Sequence, residues 1–166
     1  PKSMPIPEDH TTEPICSYGI TKLAIEKYLY LFYTQWGQDY VVLRFSNPYG
    51  VLQNPHAKQG VIGVFLGAAS ENKPINIFGD GEIVRDYIYV TDAAKALVCA
   101  AEYKAGPNDP RIFNIGAGRG YSLNEIVAEI KKNIDRPINV NYAPGRTVDV
   151  PANVLPVNFV FRSASS

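Results

Sequence analysis

Ser17-Tyr18-Gly19-Ile20-Thr21-Lys22-Leu23-Ala24-Ile25-Glu26-Lys27-Tyr28 opens a stretch that runs without proline to Trp36 and stops at Gly37. Within it Ile25, Leu29, Phe32 and Trp36 fall at offsets of four, seven and eleven, the spacing of one stripe on a helix, and Gly37 is a helix stop. Val41-Val42-Leu43-Arg44-Phe45 follows at once, rich in strand formers and too short for a helix. Asn47-Pro48-Tyr49-Gly50 then supplies turn chemistry, so the strand is expected to open into a loop. A helix leading into a strand sets the expectation of an alternating α/β chain.

The same alternation continues outward. Residues 1 to 14 carry four prolines and the polar run Glu8-Asp9-His10-Thr11-Thr12-Glu13, which reads as an extended connection. Downstream, residues 60 to 72 suit a helix, Pro74 to Phe78 a strand, Gly79-Asp80-Gly81 a turn, and Val84 to Val90 a second strand. Thr91 and Asp92 are cap candidates for a helix with Ala93, Leu97, Ala100 and Ala101 along one face. Arg111 to Ile115 reads as a strand, and Ser122 with Glu125 has capping-box spacing ahead of Ile126, Ile130 and Ile134. Ile138 to Tyr142 suits a last short strand. Helices and strands alternate throughout, which is the α/β class.

The chain has 166 residues, 46% of them apolar, with 16 basic and 16 acidic side chains. That is one domain's worth of chain with enough apolar residues for a core. Zero net charge gives no electrostatic reason to expect nucleic acid or an anionic membrane as partner, since both need concentrated Lys or Arg. Cys16 and Cys99 lie far apart without CxxC spacing, which disfavours a disulfide framework or zinc cluster and suits a reducing compartment, with the cytoplasm as the default. No stretch approaches the roughly 18 uncharged apolar residues of a membrane span. His10 and His56 have no paired Cys, His or carboxylate at ligand spacing, so no metal site is expected.

The chemistry starts from Tyr18 and Lys22. Four residues is one helical turn, so phenol and ammonium share a face. A fixed ammonium beside a phenol favours tyrosinate, and such a pair can serve as general base and acid at neutral pH. A surface Tyr beside a surface Lys is the plainer reading of these two residues alone. The glycines at 116, 118 and 120 follow a strand and precede a capped helix, the context of a dinucleotide-binding loop. However, Tyr121 stands where the third fingerprint glycine belongs, and the glycines read instead as positive-φ turn positions feeding the helix.

Taken together, Pro5 to His10 with Ser17 to Tyr28, Arg44-Phe45-Ser46-Asn47-Pro48-Tyr49-Gly50, Phe78-Gly79-Asp80-Gly81 with Arg85 to Val90, Phe113-Asn114-Ile115-Gly116, and Gly145 to Val150 resemble, in order, the nucleotide-sugar epimerase and dehydratase branch of the extended short-chain dehydrogenase/reductase family. The resemblance covers residues 5 to about 155 and implies an α/β fold: the C-terminal strands of a Rossmann-like parallel sheet plus a smaller substrate-binding domain. It places residues 1–58 in the cofactor-binding domain, 59–155 mainly in the substrate domain with returns to the Rossmann sheet, and 156–166 in a divergent, disordered tail. It implies NAD as cofactor, a UDP-sugar as substrate, 4-epimerisation as the reaction, and a homodimer in the whole enzyme. A 4,6-dehydratase or decarboxylase of the same family, or a non-catalytic UDP-sugar-binding fragment, remains as an alternative.

Residue by residue, the resemblance makes Tyr18 the base at the sugar 4-hydroxyl and has Lys22 assist it and bond the nicotinamide ribose. Phe45 and Pro48 would border the nicotinamide. Asn47 would reach the substrate phosphates, where a turn-former before proline is the alternative. Arg85 and Arg146 would face the diphosphate, a task that suits the planar, always-charged guanidinium, against the alternative of a surface ion pair. Asp149 would accept from the uridine ribose, and Phe65 and Leu66, in the segment Gly60 to Leu66, would cover the uracil, where a plain amphipathic helix is the alternative. The family's Gly-rich first strand and its catalytic Ser or Thr have no counterpart before Tyr18, which predicts a chain without tight NAD binding or turnover of its own and with exposed sheet edges. From Pro156 onward the sequence departs from the family's continuation, which predicts an altered reading frame or an alternative terminus.

Overall fold

The computed structural model describes residues 3–57, 59–145 and 150–156. The stretch holding Arg146 and Asp149, and the expected 156–166 tail apart from Pro156, lie outside the described residues.

Helix α1 spans Ser17–Trp36, and Gly37, at φ 67°, takes the left-handed backbone that closes it. Strand β1, Val42–Phe45, follows, then β2, Asn47–Tyr49. Next come α2, Val61–Ser70, β3, Ile75–Phe78, and β4, Val84–Tyr89. Helix α3 covers Val90–Glu102, β5 Ile112–Ile115 and β6 Gly120–Ser122. The described chain ends with α4, Leu123–Asn133, β7, Val140–Ala143, and β8, Ala152–Asn153. The α/β class is borne out, with parallel pairing dominant. β1 pairs with β5, β3 with β7, and β4 with β2 and β8, all parallel, while β6 joins β4 antiparallel.

Two apolar clusters hold these elements. Phe65 and Ala69 of α2, Ile75 and Ile77 of β3, and Val127 and Ile130 of α4 form one. The other joins Ile88 of β4, Ala93 and Ala96 of α3 and Ile115 of β5, with Leu43, Phe45 and Phe113 packed against it. Chain order does not separate them, because β4, α3 and β5 return to β1 after the chain has built α2 and β3.

Several local expectations need correction. The predicted turn at Asn47–Tyr49 is an edge strand paired with Tyr87–Tyr89, and an edge is where a strand tolerates the missing N–H of Pro48. The inward face of α1 is Gly19, Leu23, Glu26, Leu29 and Tyr33, each half-buried; Ile25, Phe32 and Trp36 of the expected stripe face outward, and none of the twenty residues is fully buried. Thr91 and Asp92 lie inside α3, whose N-cap Tyr89 makes no side-chain cap bond. On α3 the buried side chains are Ala93 and Ala96, whereas Leu97 is 57% exposed.

Of the three glycines only Gly118, at φ 74°, has positive φ. The other two are required by close approach. A Cβ on Gly116 would meet Asp86 Oδ2 at 2.4 Å, and one on Gly120 would meet Val84 Cγ1 at 2.4 Å. Asp86 is fully buried on β4, and its carboxylate accepts from the N–H groups of Ala117, Gly118 and Leu155. This one side chain therefore ties the glycine loop and the C-terminal segment to β4.

Candidate active site

The start of α1, the β1–β2 junction, the loop after β2, the first turns of α2, and strands β3 and β4 surround a cavity of about 830 Å³. Tyr18, Asn47, Pro48, Phe65 and Arg85 all line it, although they are scattered over more than sixty positions in the sequence. Half of the residues expected from sequence thus meet at one place.

Tyr18 is the second residue of α1 and 72% exposed. Its backbone position follows from Pro14 lying against the first helical turn, where a Cβ on Gly19 would come within 2.9 Å of Pro14 Cβ. The Lys22 Nζ lies 5.4 Å from the Tyr18 ring centroid, so the helical spacing does bring ammonium and phenol together. Asn47 sits opposite Tyr87 in the β2–β4 register, and its Nδ2 donates to the Asp86 carbonyl at 2.9 Å. That bond turns the amide into a fixed part of the wall. The Arg85 guanidinium donates to the carbonyls of Val84 at 2.9 Å and Val150 at 2.6 Å. Val150 is the next described residue after the stretch that holds Arg146 and Asp149.

Other expected residues are placed elsewhere. Phe45 packs against the cluster of β4, α3 and β5, and lines a second, smaller cavity of about 320 Å³ beside His10, Thr11 and Asn114. Leu66 is 46% exposed and is not part of the larger cavity wall, whereas Phe65, one position earlier, is 4% exposed and reaches both wall and core. The wall also includes Ser46, Gln53, Asn76, Phe78 and Tyr87, which the sequence reading passed over. A signal existed for Tyr87: it stands two positions after Arg85 on a strand, and period two puts both on one face.

The site's setting is held by polar tethers. Arg44 of β1 makes a forked contact with Glu26 of α1, Nε to Oε1 at 2.8 Å and Nη2 to Oε2 at 2.6 Å, and its third donor meets the Glu8 carbonyl at 3.1 Å. The Glu26 contact raises the Arg44 pKa further above its ordinary value. Glu8 in turn accepts from the Asn114 N–H at 2.9 Å, and the Asn114 side chain donates to the Ile6 carbonyl at 2.8 Å. The extended connection before α1 is thereby pinned to β5. Burial raises the Tyr87 phenol, with Arg85 acting in the opposite direction.

An exposed phenol with an ammonium one turn away, facing a cavity whose far wall carries a guanidinium and an amide, can exchange a proton with a hydroxyl of a bound anion. The residues present fit one end of a nicotinamide dinucleotide: Tyr18, Ser46 and Pro48 line one cavity, and the Ser46 Oγ is buried without a protein partner. Among the described residues no group of three His, Cys, Asp or Glu side chains could hold a metal ion, and no helix is long and apolar enough to cross a membrane.

Comparison with known proteins gives the chain a family. Residues 1–116 match the model of the NAD dependent epimerase/dehydratase family. UDP-glucose 4-epimerase of Halalkalibacterium halodurans is 34% identical over 168 residues, covering 93% of this chain and 50% of the relative. The crystal structure of Thermotoga maritima UDP-glucose 4-epimerase with UDP-glucose superposes with a TM-score of 0.82 at 38% identity, over 91% of this chain and 48% of that one. Bacillus cereus UDP-glucuronic acid 4-epimerase, in complex with UDP-glucuronic acid and NAD, gives 0.81 at 26% identity, over 90% of this chain and 46% of that one. The chain spans about half the length of the curated relatives it matches. With the family model covering most of its residues and extended short-chain dehydrogenase epimerases as its structural neighbours, the chain belongs to the NAD dependent epimerase/dehydratase family.

Proposed function

We propose that the protein is an NAD-dependent nucleotide-sugar 4-epimerase of the UDP-glucose/UDP-galactose type, and that Tyr18 is its base. The observation carrying this reading is that Tyr18, with the Lys22 ammonium 5.4 Å from its ring centroid, lines the same cavity as Asn47 and Arg85. The Tyr18 phenolic oxygen takes the proton of the sugar 4-hydroxyl and returns it after the sugar has turned over. Lys22 places a positive charge 5.4 Å from the centre of the Tyr18 ring. Arg85, with Arg146, holds the diphosphate as a fixed pivot, because guanidinium forks bond phosphate oxygens in pairs. Asn47 adds a neutral contact, Asp149 takes the ribose hydroxyls, and Phe65 covers the base. Hydride transfer is the chemistry that NAD supplies when bound, with Tyr18, Lys22 and Pro48 at its nicotinamide end.

The same reading assigns residues 1–58 to the cofactor domain and 59–155 mainly to the substrate domain, with β4, α3 and β5 as the returns that pack against β1. It makes the enzyme a cytoplasmic homodimer. The test is a coupled assay of the full-length protein with NAD. Interconversion of UDP-galactose and UDP-glucose is expected, with Tyr18→Phe slower by about 10² or more. Absence of interconversion, or a Tyr18→Phe variant at full rate, would overturn the reading.

A further inference from the structure

Three buried side-chain polar atoms among the described residues have no hydrogen-bond partner: Ser46 Oγ, Gln53 Oε1 and the Tyr87 hydroxyl. All three belong to residues that line the larger cavity. Buried polar groups are otherwise paired almost without exception, because leaving one unpaired destabilises the fold. Three orphans gathered on one cavity are what a wall looks like when its partners come with a ligand.

Tyr87 is the most constrained of the three. It is 7% exposed, and its ring meets Tyr49 edge-on, with centroids 6.5 Å apart at 89°. Strand β4 sorts its side chains by face. Arg85 and Tyr87 go to the cavity, while Asp86 between them goes to the opposite side, where three backbone N–H groups occupy its carboxylate. The negative charge is thus turned away from the cavity. Burial keeps the Tyr87 phenol protonated at neutral pH, so it offers a donor next to a guanidinium that can only donate.

We propose that Tyr87 is a specificity-determining contact of this site, its hydroxyl donating to a phosphate oxygen of the nucleotide diphosphate alongside Arg85. The proposal rests on the nucleotide-sugar reading above and adds to it a residue whose ring alone would satisfy the packing. Tyr87→Phe keeps that ring and removes only the unpaired hydroxyl. In the full-length protein, calorimetry with UDP should show affinity reduced about fivefold to tenfold, binding of uridine should be unchanged, and the ligand-free melting temperature should be equal or higher.

The opposite results are equally clear. UDP affinity unchanged in the variant overturns the proposal. Uridine and UDP weakened alike overturn the phosphate assignment, and a lowered ligand-free melting temperature shows that the hydroxyl has a protein partner, which also overturns it. A wild-type protein that binds no UDP defeats the nucleotide-sugar reading itself, a result distinguishable from the others because it needs no variant.

Discussion

Helices α1 and α4 are built on opposite plans. The eleven residues of α4 carry their own instructions: Ser122 Oγ accepts from Glu125 N at 3.1 Å, Glu125 Oε2 accepts from Ser122 N at 2.7 Å, Lys131 and Lys132 sit in the last turn, and Val127 and Ile130 are buried. The twenty residues of α1 have no side-chain cap, no acid in the first turn, no base in the last and nothing buried. Polar tethers hold it instead, Glu26 to Arg44 and Tyr33 to Arg111, whose guanidinium lies 4.2 Å from the Tyr33 ring centroid. The helix that bears the reactive pair is therefore positioned by arginines on and beside β1 and β5, while the helix that bears none is positioned by its own sequence.

The sharpest way to break this contrast is to truncate one isoleucine on each. Ile130→Ala removes a buried side chain from the cluster of α2, β3 and α4 and should cost about 3 kcal/mol. Ile25→Ala, on a side chain 49% exposed, should stay within about 0.5 kcal/mol. Urea midpoints of the two variants measure both, and equal losses would mean that the outer face of α1 is packed. Next in size comes Glu26→Ala, which leaves the half-buried Arg44 guanidinium without its carboxylate. The expected loss is about 2 kcal/mol, between the values for exposed and fully buried pairs. A loss below about 0.5 kcal/mol would remove the tether from the account of how Tyr18 is held.

The same contrast explains what could be read from sequence. On α4 the signals were local, so Ser122, Glu125 and the helix itself were legible. For α1 the helix and its stop at Gly37 were legible, but the stripe Ile25, Phe32 and Trp36 pointed outward, because hydrophobic spacing says which residues share a face and not whether anything covers that face. Pro48 misled in another way: its turn chemistry is real, yet an edge strand accepts it. In the site, Tyr18, Asn47 and Arg85 were legible through the ordered motifs. Asp86 and the orphan atoms of Ser46, Gln53 and Tyr87 were not, since their meaning comes from neighbours that only the fold assembles.

Ser122→Ala should cost about 1 kcal/mol, by freeing the Glu125 N–H and loosening the reciprocal bond. The loss should be confined to α4: amide exchange of the α4 first turn quickens, while that of α1 is unchanged. Faster exchange in α1 as well would couple two helices that share no apolar cluster.

The smallest expected effect separates the helices by pH. Tyr40 lies just after α1 and meets Tyr33 edge-on, with ring centroids 6.0 Å apart, and burial raises its phenol above 10.0, with Arg111 opposing. A phenol that holds its proton more tightly when folded contributes stability that is fully present below pH 10 and is lost as pH rises beyond it, because the unfolded chain ionises first. Helix α4 contains no tyrosine, so its share of this effect can come only through the rest of the fold. Trp36, the single tryptophan, closes α1 and makes its fluorescence a reporter of that end. Thermal melts followed at Trp36 should shift downward above pH 10, and Tyr40→Phe should reduce that shift. Burial raises Tyr87 and Tyr103 in the same direction, so a global alkaline loss survives in the variant. If Tyr40→Phe leaves the Trp36 shift intact, the tyrosine contact after Gly37 does not hold the end of α1, and Glu26 and Arg111 carry that helix alone.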